Sequence, residues 1–168
     1  KAGVDCFLVE TSSALQYARC AVLALRKLKL PILASVRLDQ DGELRHGGTA
    51  LNALTVLQAL GVSAFGLRGD YDREDLEEMV EGLAQMAKVP LMVQPAKYRM
   101  EGEDLCPLTQ EELKAHCNRL MELGATLLYC AAGGERLSVP AQAVKEFAAA
   151  GKRHRPAPSD PDQVVLAD

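Results

Sequence analysis

Short, continuously apolar segments alternate along the chain with longer segments in which apolar residues recur at helical spacing. Continuous apolar runs are typical of strands buried on both faces, as in parallel sheets, and the longer pattern predicts amphipathic helices. The predicted strands are 6–9, 31–38, 63–68, 89–94 and 126–130. The predicted helices are 12–29, 49–60, 72–87, 109–123 and 140–150. Five βα units in a row indicate an α/β fold with a parallel sheet.

Polar residues mark the limits of these elements. Thr109 and Glu112 have the spacing of a capping box, which predicts the start of the fourth helix. The polar residues 95–107, between the fourth strand and this helix, predict a loop. Residues 1–150 then form the folded domain, and the polar, Pro-rich residues 151–168 predict a linker or a tail.

The length of the chain limits the possible architectures. A closed (βα)₈ barrel typically needs about 250 residues, and this chain has 168. The chain therefore supplies the last five-eighths of a barrel or forms an open sheet, and we expect it to be a fragment of a longer chain. In both architectures the chemistry lies at the carboxyl ends of the strands, where the βα loops converge.

Composition excludes several function classes. Hydrophobic residues make up 48% of the chain, the net charge is −4, and the basic residues are scattered, so binding to nucleic acid or to an anionic membrane has no electrostatic support. No apolar run approaches the roughly 20 residues of a membrane span, and no leader pattern opens the chain, so we expect a cytoplasmic protein. Five widely spaced cysteines predict reduced thiols, mostly buried, and no disulfide framework.

The predicted strand ends carry a mixed set of polar groups. They are Glu10-Thr11, Ser35 to Arg37, Arg68-Gly69-Asp70, Gln94-Pro95 and Cys130 to Gly133. Such a set can hold a small zwitterion such as an amino acid, with Glu10 binding the ammonium group and N–H donors binding the carboxylate. An internal ion pair between Glu10 and an arginine, which only closes the top of a barrel, explains the same residues equally well.

Several of these segments resemble one known family, the homocysteine S-methyltransferases. The matching segments are GVDCFLVET, LPILASVRLDQDGELRHGGT, LGVSAFGLRGD, VPLMVQPAKY and LGATLLYCAAGGERLSVPAQAV, which together cover roughly the first 150 residues. The resemblance implies a (βα)₈ TIM barrel of which this chain holds about strands four to eight. It also implies a homocysteine site at the mouth of the barrel and, in typical members, a zinc ion held by three cysteines that activates the homocysteine thiol.

The resemblance also shows where this chain departs from the family. The three cysteine positions of the zinc site correspond to Gly69, Ala131 and Ala132, so we expect no zinc and no other cofactor in this chain. Glu10 corresponds to the family's homocysteine-contacting glutamate and is retained. Cys130 lies one residue too early on its strand, which turns its side chain to the opposite face, so it does not replace a ligand.

Arg68 occupies a position where the family has asparagine, beside the lost ligand at Gly69. Its guanidinium either fills the volume and supplies the charge of the missing metal, or pairs with Glu10 and blocks the pocket. His46, in the loop after the second strand, is a weak candidate for binding or acid–base chemistry. His116 and Cys117 are adjacent on a helix and cannot face one ligand, so we expect a core cysteine beside a surface histidine.

Taken together, these residues predict a homocysteine S-methyltransferase-family domain, nominally transferring a methyl group to the homocysteine thiol to give methionine, with its zinc site lost. The alternative is a catalytically inactive amino-acid-binding or assembly paralogue associated with a corrinoid methyl-transfer system. Under either hypothesis the partner is a small amino acid, with other domains of such a system as further partners. Glu10, Thr11 and Arg68 are the predicted substrate-binding residues, and the sequence assigns no catalytic residue.

Overall fold

A computed structural model describes residues 3–11, 14–39, 42–44, 46–69, 71–129 and 138–151. Its strands are β1 (Phe7–Thr11), β2 (Ile32–Arg37), β3 (Ala64–Arg68), β4 (Leu91–Val93), β5 (Tyr98–Glu101), β6 (Asp104–Pro107) and β7 (Ala125–Leu128). Its helices are α1 (Leu15–Leu25), α2 (Ala50–Ala59), α3 (Arg73–Met86), α4 (Gln110–Leu123) and α5 (Ser138–Ala149). A short 3₁₀ turn, Arg26–Leu28, extends α1. All five predicted strands and all five predicted helices are present.

Five strands form one parallel sheet in the order β1-β2-β3-β4-β7. Val9 lies opposite Ala34, Ala34 opposite Phe65, and Phe65 opposite Leu91, so these residues form a row across the sheet. Helices α1, α2, α3 and α4 each return the chain to the start of the next strand of the sheet, which is the βα repeat that the sequence predicts. The mixed α/β fold with a mainly parallel sheet is confirmed.

The helices cover one face of this sheet. Ile32, Ala34 and Val36 of β2 point to that face, as do Phe65 and Leu67 of β3, and all five are buried in the main apolar core. Helices α1, α2 and α3 add buried aliphatic residues to the same core, including Val22, Leu54, Leu57, Leu76 and Val80. This packing fixes the strands from one side and leaves the other face for the functional groups.

The opposite face of the sheet is not covered by a described helix. On its two outer strands Leu8 is 53% exposed and Leu127 is 40% exposed, whereas Ser35 and Met92 at the centre are buried. Gly66 separates these two central residues. A β-carbon at Gly66 would lie 2.6 Å from Met92 Cε and 2.8 Å from Ser35 Cβ, so only glycine allows this close approach.

A hairpin occupies the segment 95–107, for which the sequence predicted a loop. Strands β5 and β6 pair antiparallel, with a turn at Gly102 whose φ is +66°. The backbone N–H of Met100 donates to Asp72 Oδ1 at 2.8 Å, which attaches the hairpin to the start of α3. The predicted loop is therefore wrong, because the apolar–polar alternation of a four-residue strand such as Tyr98–Glu101 is too short to be distinguished from a polar loop.

The predicted helix start at Thr109 is confirmed. The Thr109 hydroxyl accepts from the Glu112 N–H at 3.2 Å, and the Glu112 carboxylate accepts from the Thr109 N–H at 2.8 Å, which completes a capping box. These hydrogen bonds, together with the proximity of Arg99 and Arg73, lower the pKa of Glu112. None of the helices in the described ranges combines the length and the apolar character that crossing a membrane requires.

The cysteines differ in burial from the expectation. Cys117 is buried, Cys106 is partly buried, and Cys6 and Cys20 are exposed free thiols. The expectation of buried thiols is wrong for Cys6 and Cys20. Cys6 precedes the edge strand β1, and Cys20 lies on the outer side of α1. Cys130 and the predicted tail from residue 152 onward lie outside the described residues.

Candidate functional site

The carboxyl ends of the parallel strands place two rows of side chains on the face that the helices leave uncovered. Glu10, Ser35, Gly66 and Met92 form the first row, since each lies opposite the next in the strand register. The second row lies two residues further along the strands. It contains Arg37 and Arg68, which are register partners, and then Gln94 and Tyr129, which follow β4 and β7. The predicted strand-end groups thus meet at one edge of the sheet.

Glu10 and Arg68 form an ion pair within these rows. Arg68 Nε lies 4.0 Å from Glu10 Oε1, and the two side chains are 19% and 40% exposed. The internal ion pair that the sequence left open is therefore present. A pair with this much exposure and this distance contributes at most about 1 kcal/mol to stability. The Nε atom itself is buried and has no hydrogen-bond partner within the described part of the chain.

Two hydroxyl groups flank this ion pair. The Ser35 hydroxyl is fully buried, and neither it nor the Tyr129 hydroxyl has a hydrogen-bond partner among the described residues. The two hydroxyls lie close enough for a hydrogen-bond contact with Ser35 to lower the pKa of Tyr129, although the contact is not well aligned. Burial raises the pKa of Tyr129 to about 12, with smaller opposing effects from Ser35 and Arg68 and a further increase from Glu10. The Tyr129 phenol therefore carries its proton at neutral pH and is a hydrogen-bond donor.

Tyr71 fills the space beside Gly69. A β-carbon built on Gly69 would lie 2.5 Å from Tyr71 Cζ and 2.7 Å from the Tyr71 hydroxyl oxygen. The same hydroxyl donates to the Arg68 carbonyl at 2.7 Å and accepts from the Leu38 N–H at 3.3 Å, and burial raises the pKa of this phenol. The ring is thus held by hydrogen bonds to two neighbouring strand ends and leaves no room for a side chain at position 69.

Thr11 occupies a different position from the other two predicted binding residues. It follows Glu10 on β1, and successive side chains of a strand point to opposite faces, so Thr11 is directed to the helix-covered face. Its side chain is buried, and Oγ1 has no hydrogen-bond partner in the ranges that the structure describes. The structure therefore brings Glu10 and Arg68 together and does not bring Thr11 to the same face.

His116 is buried in the core, so the expectation of a surface histidine is wrong, whereas the buried Cys117 is confirmed. His116 Nδ1 lies 2.7 Å from Glu77 Oε1, and Nε2 accepts from the Ala96 N–H at 3.1 Å. This pattern requires the neutral tautomer with its proton on Nδ1. Burial lowers the pKa of His116, while Glu77 has a weaker opposing effect. The imidazole anchors the loop that follows Gln94, which is itself at the edge described above.

The remaining candidates lie elsewhere. His46 is exposed and lines a surface cleft of about 380 Å³ together with Tyr17 and Arg19, away from the Glu10–Arg68 pair. Asp70, Cys130, Ala131 and Ala132 lie outside the described residues. Within the described ranges no three His, Cys, Asp or Glu side chains are arranged to hold a metal ion.

Sequence reasoning assigned no role to three residues of this edge, Ser35, Tyr71 and Tyr129. Ser35 had a signal in the sequence, because it was among the predicted strand-end groups. Nothing in the sequence pointed to Tyr71, which lies three residues after Arg68. Its side chain is held at the strand end by a hydrogen bond to the Arg68 carbonyl, which no sequence pattern reveals.

The chain is similar in sequence to known proteins over most of its length. A family model described as homocysteine S-methyltransferase matches residues 1–134. Methionine synthase of Mycobacterium tuberculosis is 28% identical over 158 residues, which are 88% of this chain and 13% of that protein. Methionine synthase of Mycobacterium leprae is 28% identical over 99 residues, 55% of this chain and 8% of that protein. The chain thus spans a small fraction of the length of these curated relatives.

Proposed function

The chain belongs to the homocysteine S-methyltransferase family, and we propose that its strand-end edge binds homocysteine or a similar small amino acid without zinc. The family assignment supports methyl transfer to the homocysteine thiol at the level of the family. The observation that carries the proposal is the Tyr71 ring, which occupies the volume of any side chain at Gly69. The resemblance equates Gly69 with one of the three zinc-binding cysteines of the family, so a phenol would occupy the space of that ligand.

The residues present do not fit a zinc site with three thiolate ligands. Gly69 has no side chain, and Ala131 and Ala132 have side chains without a donor atom. The Arg68 guanidinium, one residue before Gly69, adds a permanent positive charge to the same strand end, which disfavours a divalent cation nearby. A thiol that no metal activates has a pKa near 8.5, so only a few per cent of it is thiolate at pH 7. We infer that zinc-dependent methyl transfer is lost in this chain.

Glu10 provides the main contact for the amino acid in this proposal. Its carboxylate is partly exposed at the edge and lies beside Arg68, so one side of a bound amino acid meets a negative group and the other a positive one. The nearby sheet face with exposed Leu8 and Leu127 supports the further proposal that this sheet is strands four to eight of a (βα)₈ barrel. The other strands would then come from elsewhere in a longer protein.

A second candidate function is that of an amino-acid-binding or assembly paralogue within a corrinoid methyl-transfer system. The Glu10–Arg68 pair favours it, since this pair neutralises both groups without a ligand. The match to 13% of a methionine synthase is consistent with such a module in a larger system. Under this hypothesis an amino acid binds but is not methylated.

The proposal is tested on the full-length protein by metal analysis, by calorimetry with L-homocysteine, and by a methyl-transfer assay. We expect no stoichiometric zinc, homocysteine binding, and a loss of at least about tenfold in affinity in Glu10→Gln, because a charge-assisted contact is removed. Glu81→Gln, at an exposed position of α3, is the matched control. One zinc per chain with rapid methylation would contradict the proposal, and so would a Glu10→Gln variant with unchanged affinity. Binding without methylation would favour the second candidate.

A further inference from the structure

A buried histidine holds the chain at the point where it leaves the sheet after β4. The Gln94 N–H still donates to the Leu67 carbonyl of β3, at 3.0 Å. Pro95 follows and has no N–H, so Ala96 carries the next backbone donor. That N–H donates to Nε2 of His116 on α4 at 3.1 Å, and Ala96 is 2% exposed and His116 1%. The imidazole is therefore the partner of the first donor beyond the strand-end edge.

The hairpin β5–β6 has a second attachment, on α3. The Met100 N–H donates to Asp72 Oδ1 at 2.8 Å, and Tyr98 forms a parallel bridge with Asp72. Residues 95–97 thus connect two fixed points, the end of β4 and the start of the hairpin. Among the hydrogen bonds described for these three residues, the one to His116 is the one that reaches a helix. Losing it frees the segment between the two fixed points.

The hydrogen bond to Ala96 exists only while the imidazole is neutral. Nε2 accepts from the Ala96 N–H and carries no proton, whereas Nδ1 donates to Glu77 Oε1 at 2.7 Å. A second proton on the ring turns Nε2 into a donor and places two donors 3.1 Å apart. Glu77 keeps its hydrogen bond and gains a cationic partner, which strengthens that bond. Protonation therefore preserves the contact with α3 and breaks the contact with the loop.

The charged side chains near His116 come from three elements. They are Glu77, Asp72 and Arg73 on α3, Glu112 one turn earlier on α4, and Arg99 of β5, which pairs with Glu112 at 3.5 Å. Burial has the largest effect and lowers the pKa of His116, and Arg73 lowers it further, while Glu77 and Asp72 raise it. An imidazole that opening of the loop exposes to water takes up a proton more readily than the buried one. Acid therefore favours the open form of the loop.

We propose that His116 is a positioning residue for the strand-end site, because it holds residues 95–97 in place only in its neutral form. The inference rests on the proposed function, namely that this edge binds a small amino acid, and it adds a regulation of that site by pH. Gln94 belongs to the second row of side chains at the edge and is followed directly by this segment. When the segment opens, Gln94 loses its support on that side, so ligand affinity falls in acid.

Hydrogen exchange on the full-length protein measures the opening, followed for the amides of residues 96–107 and corrected for the intrinsic pH dependence of exchange. Below about pH 6.5 the opening constant is expected to rise by up to about tenfold per pH unit, because the open form binds one more proton. His116→Gln offers Ala96 an amide oxygen that does not titrate, so its opening constant is expected to stay within about twofold over this range.

A second variant gives the same test without altering the core. The Glu77 side chain is 22% exposed, and Glu77→Gln keeps an acceptor for Nδ1 but removes the negative charge. Since that charge favours the imidazolium, the rise in the opening constant is expected to begin at a lower pH in this variant. A residue with a merely structural role would not shift the pH at which the loop opens.

Calorimetry with L-homocysteine tests the effect on the site. The affinity of the parent is expected to fall by at least about threefold between pH 7.5 and pH 5.0, since the open form lowers the binding-competent fraction. The affinity of His116→Gln is expected to change by less than about 1.5-fold. His46→Gln, at an exposed position in a cleft away from the edge, is the matched control and is expected to behave like the parent. Comparing the proteins at one pH cancels any ionisation of the ligand.

The outcomes distinguish this inference from the proposed function on which it rests. An opening constant that does not rise in acid, or that rises equally in the parent and in His116→Gln, would overturn the inference. Acid-dependent opening with the same homocysteine affinity at both pH values would also overturn it and leave amino-acid binding intact. Failure of homocysteine to bind at pH 7.5 would overturn the proposed function, and the positioning role with it, whatever hydrogen exchange shows for the loop.

Discussion

Replacing Gly69 by alanine tests the packing on which the proposed loss of the zinc site depends. The new β-carbon would lie 2.5 Å from Tyr71 Cζ and 2.7 Å from the hydroxyl oxygen, so the ring must move. Tyr71 is 4% exposed and its hydroxyl makes hydrogen bonds of 2.7 Å and 3.3 Å to the ends of β3 and β2. Overpacking of this kind costs about 1–3 kcal/mol, and each lost hydrogen bond about 1 kcal/mol. We expect Gly69→Ala to destabilise the fold by about 2–4 kcal/mol.

Urea unfolding of the full-length protein measures this value, and a double-mutant cycle identifies its cause. In a Tyr71→Ala background the ring is absent, so adding Gly69→Ala should cost less than about 0.5 kcal/mol. Gly82→Ala is the matched control, because its β-carbon meets nothing within 4 Å and alanine favours the helix by up to about 1 kcal/mol. A Gly69→Ala protein as stable as the parent, or one with the same penalty in both backgrounds, would refute the packing argument.

Three further predictions follow from the described contacts. Thr109→Ala removes the hydroxyl that caps α4 and should destabilise the fold by about 1 kcal/mol in urea unfolding. The pKa of His116 is lowered in the folded protein, so below about pH 6.5 the unfolded chain binds more protons than the folded one. The free energy of unfolding therefore decreases as the pH is lowered, by up to about 1.4 kcal/mol per pH unit. Unfolding at pH 7.5 and 5.5 measures this loss, which His116→Gln should reduce. Gly66→Ala, which forces its β-carbon against Ser35 Cβ at 2.8 Å, should lower the unfolding midpoint by the equivalent of about 1–3 kcal/mol.

The helices and the parallel strands could be predicted from the sequence because the patterns that indicate them involve residues close together in the chain. A buried parallel strand such as β2 is continuously apolar, and the cap at Thr109 needs only two residues three positions apart. The hairpin β5–β6 was missed because its strands have only four residues each, too few for an alternating pattern to stand out from a loop. His116 was misplaced for a related reason, since helical spacing separates it from Cys117 but does not reveal that the segment at Ala96 covers it.

The candidate site was predictable to the extent that parallel strands align their ends. Glu10 and Arg68 were both strand-end residues, and the register brings them to the same edge. Which of the two roles of Arg68 holds was not predictable, because the 4.0 Å contact with Glu10 depends on side-chain conformation. Tyr71 was not predictable at all, since its place beside Gly69 results from hydrogen bonds to Arg68 and Leu38 that no sequence spacing encodes.

The features around Gly69 depend on one another: the Tyr71 ring fills the space beside it, and Arg68 pairs with Glu10. Together they support the proposed loss of zinc binding. The Tyr71 ring fills the space beside Gly69, and its hydroxyl satisfies two backbone groups. Arg68 brings a fixed positive charge to the same edge, where Glu10 lies 4.0 Å away as its counter-charge. A cysteine placed at position 69 would meet the phenol ring, and a cation bound nearby would be repelled by the guanidinium. A single Gly69→Cys substitution would therefore be unfavourable, and we expect that it would not create a metal site by itself.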